Sequence, residues 1–200
     1  MMNVPNLLTI ARLVMIPAYM YFMYRSGTPY ANQLACFFFV LASVTDFLDG
    51  YIARKYKLIT NFGKVMDPIA DKIMVAAAMI VLAEVGRLEA WIIVLMLFRD
   101  FVVGGLRDIA AAQGTIIAAG VWGKLKTILQ MVALSLMIFY DDLVIWPLSY
   151  YSTLFSGGDI SVMSGIIAIP IFGLGVVLIY LALIASIFSG VMYYLQYEKM

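Results

Sequence analysis

Long apolar runs separated by short polar stretches dominate this sequence. At about 1.5 Å of rise per residue, each run is long enough to cross the roughly 30 Å hydrocarbon core of a bilayer as a helix. Apolar and polar residues do not alternate at period two, so spanning strands are not indicated. The pattern predicts an all-α integral membrane protein whose six transmembrane helices cover residues 7–25, 31–55, 62–84, 89–112, 122–141 and 166–196.

Two stretches are expected at the membrane surface. Residues 3–12 are mildly amphipathic and lead into the first predicted helix, and residues 143–165 are rich in aromatic residues, glycine and serine. Aromatic side chains at the level of the lipid headgroups are typical anchors of membrane proteins. No internal repeat divides the chain, so residues 1–200 are predicted to form a single domain.

Composition and charge support a membrane protein and set its orientation. Hydrophobic residues make up 64% of the chain and charged residues 12%, which is too apolar for a soluble domain. With the N-terminus in the cytoplasm, all of the 13 basic residues except Arg25 and Arg87 fall on the cytoplasmic side or half. The chain has no histidine, which excludes Ser-His-Asp catalysis and histidine metal sites. Its single cysteine, Cys36, is expected to be a packed core thiol.

Four aspartates stand near the cytoplasmic ends of the second and third predicted helices: Asp46, Asp49, Asp67 and Asp71. The first two are three residues apart and the last two are four apart, so each pair forms a stripe on its helix. Antiparallel packing would bring the two stripes face to face. Two like charges ~4 Å apart repel by about 4 kcal/mol at an effective dielectric constant near 20, so the acids need protons or cations. Oxygen ligands suit Mg²⁺ or Mn²⁺, and four shared carboxylates suit two such ions.

A structural alternative exists for each of these positions. The four acids could be charges at helix ends that pair with nearby basic residues: Arg54, Lys55, Lys64 and Lys72. Gly63 could let two helices approach each other or could let a ligand approach the backbone. Ionisable groups inside a membrane protein are nevertheless functional by default, which favours a site.

The whole stretch resembles the signature of the CDP-alcohol phosphotransferase family. It reads Asp46-x2-Asp49-Gly50-x2-Ala53-Arg54-x8-Gly63-x3-Asp67-x3-Asp71. The resemblance implies a six-helix membrane enzyme, commonly a homodimer, that uses two divalent cations. Such an enzyme passes the phosphoryl-lipid portion of a cytidine diphosphate-linked donor to an alcohol and releases CMP.

The resemblance also implies a role for each signature residue. The first metal and the donor's pyrophosphate would be bound by one set: Asp46, Asp49 and Asp67. The second metal would be shared by an overlapping set: Asp46, Asp67 and Asp71. The donor's cytidine pocket would be lined by three small residues, Gly50, Ala53 and Gly63, and Arg54 would also bind the donor. Asp71 would also be the general base that takes the proton of the acceptor hydroxyl, and without histidine a carboxylate is the available base.

Four cations in the second half of the chain indicate a phosphorylated acceptor: Arg99, Arg107, Lys124 and Lys126. Two lie within the fourth predicted helix and two open the fifth from the cytoplasmic side. A guanidinium fork and an ammonium group are both suited to binding a phosphate dianion. The alternative is that Arg99 neutralises Asp100, that Arg107 pairs with Asp108, and that the lysines are ordinary cytoplasmic charges.

This second half resembles bacterial members of the family that join CDP-diacylglycerol to sn-glycerol 3-phosphate. The resemblance includes the opening "VPNLLTIARL", but Asp100 stands where glutamate is commoner. It implies a multi-pass protein of the bacterial inner membrane with its active site toward the cytoplasm. The expected partners are the two substrates, membrane lipid and a second copy of the chain, and no nucleic acid.

The first predicted helix carries three polar residues at intervals of three: Asn6, Thr9 and Arg12. They could reach the phosphates or ribose of the donor, or they could form the polar face of an interfacial helix.

Two rival functions remain open. Another enzyme of the same family would use inositol phosphate or serine as its acceptor, and the basic cluster does not exclude the first of these. A divalent-cation transporter would place its ligands near mid-membrane within repeated halves, whereas these acids lie toward one end and no repeat is visible.

Overall fold

The computed structural model describes residues 4–25, 30–56, 61–114, 120–154 and 160–198, and the side chains of residues 7–25, 30–46, 63, 66–114, 120–139 and 172–198. The described residues form six α-helices: α1 (Val4–Tyr24), α2 (Ala31–Tyr56), α3 (Asn61–Glu84), α4 (Ala90–Ala112), α5 (Val121–Leu154) and α6 (Ile160–Glu198).

The helices pack as a bundle around one main apolar core. α1 lies against α2 and α3, α5 lies against α6 and α2, and α4 lies against α6 and α3. Tyr19, Phe39, Met74 and Leu134 are fully buried representatives of the core, and they come from four different helices. Their burial fixes the inward face of each helix, and so it fixes which polar residues meet at the end of the bundle.

The exterior of the bundle is strongly apolar. Large side chains such as Val14, Phe98 and Ile128 are more than half exposed. Among the described residues, three segments are long and apolar enough to cross a membrane: Leu7–Tyr24, Val121–Phe139 and Phe172–Glu198. A shorter apolar segment, Ala31–Asp46, leads up to the first of the four aspartates. The chain therefore has the character of a helical membrane protein.

The described residues of the two stretches expected at the membrane surface are helical. α5 continues to Leu154 and α6 begins at Ile160, so most of residues 143–165 belongs to these two helices. In apolar surroundings a backbone must satisfy its own hydrogen bonds, which favours continuing the helices. At the other end of the chain, α1 begins at Val4 and runs without a break to Tyr24. The described part of the amphipathic lead-in is therefore continuous with the first helix.

Candidate active site

Asp46 on α2 forms an ion pair with Arg12 on α1. The distance from Nη1 of Arg12 to Oδ1 of Asp46 is 2.6 Å. The arginine side chain is 0% exposed and the aspartate side chain 38% exposed. A fully buried guanidinium requires a compensating charge, so this pair holds α1 against the acid-bearing end of α2.

Asp67 on α3 is bound by the same face of α1. The hydroxyl of Thr9, which is fully buried, donates a hydrogen bond of 2.6 Å to Oδ1 of Asp67. Thr9 and Arg12 are three residues apart and therefore lie on one side of α1. The reading of these two residues as the polar face of an interfacial helix was wrong, because both point into the bundle toward the acids.

Asp71 connects the acids to a second, basic cluster. Its half-buried carboxylate interacts electrostatically with Asp46 and Arg12 on one side and with Lys126 and Asp100 on the other. Asp46 in turn interacts with Asp67. The three acids whose side chains are described therefore influence one another electrostatically, and the face-to-face packing of the two acidic stripes stays a prediction.

Asp100 on α4 is the centre of the basic cluster. The buried ammonium of Lys126 on α5 donates to both carboxylate oxygens, at 2.7 and 2.6 Å. Nη1 of Arg99 donates to Oδ1 of the same carboxylate at 2.9 Å. One aspartate therefore neutralises part of the charge of two cations and joins α4 to α5.

α6 supplies the other partners of the two arginines. Nε of Arg99 donates to the backbone carbonyl of Ser186 at 3.0 Å, and Nη2 donates to the Ser189 hydroxyl at 2.6 Å. Arg107 donates to the Tyr193 hydroxyl at 2.9 Å, with its guanidinium carbon 5.5 Å from the centroid of that ring. Gly190 on α6 leaves room for the Arg99 side chain, since a Cβ at position 190 would lie 3.2 Å from Cγ of Arg99.

A cavity of about 360 Å³ opens between these helices. It brings the proposed general base together with all four cations of the predicted acceptor cluster. The charged residues in its lining are Asp71, Lys72, Arg99, Asp100, Arg107, Asp108, Lys124 and Lys126. The cavity is enclosed by the helices and open on one side. A small anion that enters it could reach both the cations and Asp71.

Of the remaining predicted residues, only Gly63 has a described side-chain position. Gly63 is buried on α3. The side-chain positions of several predicted residues lie outside the described part of the chain: Asn6, Asp49, Gly50, Ala53 and Arg54. The predicted roles of Asp46, Asp67, Asp71 and the four cations stay predictions, although their positions are now known. The alternative prediction that Arg99 pairs with Asp100 agrees with the structure. Arg107 was expected to pair with Asp108 in that alternative, but its described partner is Tyr193.

Sequence reasoning missed the contribution of α6. Ser186, Ser189 and Tyr193 are spaced three and four residues apart, so they form one polar stripe on a helix that is otherwise apolar. That spacing was available in the sequence and could have indicated that α6 faces a polar site. The pairing of Arg12 with Asp46 could not have been read from spacing, because the two residues lie on different helices.

The carboxylate oxygens of Asp46 and Asp67 are of the kind that a hard divalent cation prefers as ligands. Within the side chains that the structure describes, no group of three acids is close enough to hold one ion. Asp46 is paired with Arg12 and Asp67 with Thr9, and the Asp49 side chain is outside the described part. The residue types therefore suit a divalent cation, and the two described acids nearest to α1 are engaged by Arg12 and Thr9.

Comparison with known proteins identifies the family. The sequence model of CDP-alcohol phosphatidyltransferase matches residues 2–191. The chain is similar to the CDP-diacylglycerol--glycerol-3-phosphate 3-phosphatidyltransferase of Bacillus subtilis (strain 168), with 36% identity over 181 residues, covering 80% of this chain and 93% of that protein. It is 46% identical over 138 residues to the protein of the same name from Rickettsia typhi, covering 69% of this chain and 77% of that protein. This protein therefore belongs to the CDP-alcohol phosphatidyltransferase family.

Proposed function

We propose that this protein is a phosphatidylglycerophosphate synthase, which transfers the phosphatidyl group of CDP-diacylglycerol to sn-glycerol 3-phosphate and releases CMP. The names of the similar proteins support this activity. The structural observation that carries it is the single cavity in which Asp71 meets a set of cations. An acceptor that must lose a hydroxyl proton and also carries a phosphate needs both kinds of group within a few ångströms of each other.

The cavity supports a direct displacement. Asp71 takes the proton of the acceptor hydroxyl while that oxygen forms a bond to the donor's lipid-linked phosphorus. The bond between this phosphorus and the bridging oxygen of CMP breaks, and CMP leaves with the electron pair. No histidine or cysteine nucleophile stands in the described site, and one transfer step needs none.

The four signature aspartates are the proposed ligands of two divalent cations, Mg²⁺ or Mn²⁺: Asp46, Asp49, Asp67 and Asp71. When bound, the cations would stabilise negative charge on the donor's pyrophosphate. Arg12 and Thr9 hold two of these acids in place from α1. These two acids are thus held in place by side chains of the first helix.

The proposed donor contacts come from the first three helices. They are Asp46, Asp49, Gly50, Ala53, Arg54, Gly63, Asn6 and Thr9. A second cavity, of about 470 Å³, lies between α3 and α4 and shares Lys72 with the polar cavity. Ile69, Ile73 and Leu97 contribute to its apolar lining, which suits an acyl chain of the lipid donor.

The proposed setting is the inner membrane of a bacterial cell. All six helices would cross it as one domain, with both termini and the active site toward the cytoplasm and with two chains forming a homodimer. The three long apolar segments and the apolar exterior support the membrane setting, and the asymmetry of the basic residues supports its orientation.

Acceptor-dependent CMP release tests the proposal. Detergent-purified protein is mixed with CDP-diacylglycerol, Mg²⁺ and one of three alcohols: sn-glycerol 3-phosphate, inositol phosphate or serine. We expect CMP only with sn-glycerol 3-phosphate. Release with inositol phosphate or serine would transfer the protein to another branch of the family. Absence of release with every alcohol, together with Mg²⁺ uptake into liposomes that contain the protein, would favour a cation transporter.

A further inference from the structure

Lys72 is a cation of the polar cavity that the predicted acceptor cluster does not include. It follows Asp71 on α3, and its half-buried side chain lines the same cavity as Arg107 and Lys124. Its ammonium lies 5.2 Å from the centroid of the Phe101 ring on α4. A cation held over an aromatic face keeps its full charge, so Lys72 brings a positive group from α3 into a cavity whose other cations come from α4 and α5.

Gly104 on α4 provides the space for this ammonium. A Cβ at position 104 would lie 2.7 Å from Nζ of Lys72 and 3.8 Å from its Cε. The ammonium therefore rests directly on the backbone of α4. Gly104 is three residues before Arg107, which places the Lys72 ammonium on the helix face that carries the Arg107 guanidinium.

The cations of the cavity differ in how much of their charge is already neutralised. Arg99 and Lys126 share the carboxylate of Asp100. Within the described part of the chain, no carboxylate forms an ion pair with Lys72, Arg107 or Lys124. A phosphate dianion entering the cavity is attracted most strongly by cations that have no carboxylate partner to give up.

We propose that Lys72 binds the phosphate group of the acceptor together with Arg107 and Lys124, and that Gly104 keeps the space its ammonium occupies. Arg99 and Lys126 then act as positioning residues, which fix α4, α5 and α6 around the pocket through Asp100. This inference rests on the proposed use of a phosphorylated acceptor. The phosphate would then be bound by three cations, one each from α3, α4 and α5. The packing of these three helices against one another would complete the site.

Two substitutions and one matched control test the proposal. Lys72→Gln removes the charge. Gly104→Ala moves the ammonium without removing it, because the flexible end of the lysine can shift and the fold need not change. Gly105→Ala makes the same change at the next residue, where a Cβ would meet nothing within 4 Å. Size-exclusion profiles and thermal unfolding establish that each variant is folded.

We expect Lys72→Gln to raise the KM for sn-glycerol 3-phosphate by about tenfold or more, as loss of a charge-assisted phosphate contact does. The KM for CDP-diacylglycerol should change less than about twofold. Gly104→Ala should raise the acceptor KM by a smaller factor, and Gly105→Ala should match the parent protein. Inorganic phosphate should inhibit the parent competitively against sn-glycerol 3-phosphate, and its inhibition constant should rise in Lys72→Gln.

Three results would overturn the inference. A lower kcat with an unchanged acceptor KM in Lys72→Gln would mean that Lys72 acts on Asp71 and not on the phosphate. Equal acceptor KM values for Gly104→Ala and Gly105→Ala would remove the role of the glycine. If the parent released no CMP, the proposed function would fail, and calorimetric binding of inorganic phosphate to the parent and to Lys72→Gln would still decide the role of Lys72, since equal affinities would refute it.

Discussion

At the scale of single residues, Asp71 is the described acid that faces both charge clusters. Asp46 and Arg12 lie on one side of it, and Lys126 and Asp100 lie on the other. Asp46 and Asp67 are each held by a partner on α1, whereas Asp71 lines the open cavity. A base must reach the proton that it removes, so exposure to the cavity distinguishes Asp71 from its neighbours.

Asp71→Asn should lower kcat by about 100-fold or more, because the amide cannot take up the acceptor proton. Thermal unfolding should change little, since the substitution keeps the shape of the side chain. CMP release under saturating substrates measures the effect. Asp108→Asn makes the same chemical change at an exposed acid of the same cavity and should keep most of the activity. Similar losses in both variants would indicate a general charge effect and contradict the role of Asp71.

The sequence drew attention to individual charged residues but not to their partners. The four aspartates and four cations stood out because charged groups are rare in apolar helices. Their hydrogen-bond partners, such as Ser189 for Arg99 and Thr9 for Asp67, lie on helices distant in sequence. Residue spacing shows which side chains share a helix face, but it does not show which two faces meet.

At the scale of helices, Asp100 joins α4 to α5. Lys126 is buried and donates to both carboxylate oxygens, so its charge depends on this one partner more than the charge of Arg99 does. Arg99 has further partners on α6. The junction of the three helices is therefore most sensitive to loss of the carboxylate.

Asp100→Asn should lower the free energy of unfolding by about 3 kcal/mol, because it leaves a buried ammonium without its counter-charge. The double variant Asp100→Asn with Lys126→Met should recover part of this loss, since it removes the uncompensated charge. Thermal unfolding can be followed by a thiol-reactive dye on Cys36, the single cysteine. A double variant less stable than Asp100→Asn alone would contradict this account.

The contact between α1 and α3 depends on the Thr9 hydroxyl. Thr9→Val keeps the shape of the side chain but removes the hydrogen bond to Asp67, and it should cost about 1.5 kcal/mol of stability. Thr127→Val is the matched control, because the Thr127 hydroxyl is exposed and bonds only to the nearby Gly123 carbonyl among the contacts that the structure describes. The same dye assay compares the two. Equal unfolding temperatures for both variants would show that the α1–α3 bond contributes little.

Helix positions could be predicted from hydropathy where polar loops separate them. The predicted limits of the second, third and fourth helices agree with the structure to within one residue: predicted 31–55, 62–84 and 89–112 against Ala31–Tyr56, Asn61–Glu84 and Ala90–Ala112. The fifth and sixth helices are longer than predicted. Residues 143–154, which belong to the fifth helix, are apolar and aromatic, a composition that suits a helix as well as a stretch at the membrane surface. Composition alone does not distinguish a helix lying near the headgroups from one that crosses the membrane.

At the scale of the whole molecule, the candidate active site lies at one end of an apolar bundle. Asp71 of α3 meets the cations of α4 and α5 there and interacts electrostatically with Asp46 of α2, while large apolar side chains cover the exterior. A lipid donor could keep its chains in the bilayer while its polar headgroup meets a water-soluble acceptor at that end. The arrangement is what a reaction between two such substrates requires.

Removal of divalent cations should stop the reaction. EDTA should abolish CMP release, and excess Mg²⁺ or Mn²⁺ should restore it, because clustered carboxylates without cations repel the donor's pyrophosphate. The measurement is the initial rate of CMP release before and after chelation, with a non-chelating buffer of equal ionic strength as the control. Full activity in EDTA would contradict a role for metal ions.

The ion pair between Arg12 and Asp46 has a practical consequence for anyone who trims or tags this protein. Neither Thr9 nor Arg12 belongs to the signature, yet these residues of the first helix hold two of its acids. A shortened chain that starts after position 12 would carry an intact signature and still lose the counter-ion of Asp46. Recognition of the motif in a fragment is therefore no guarantee that the fragment can work.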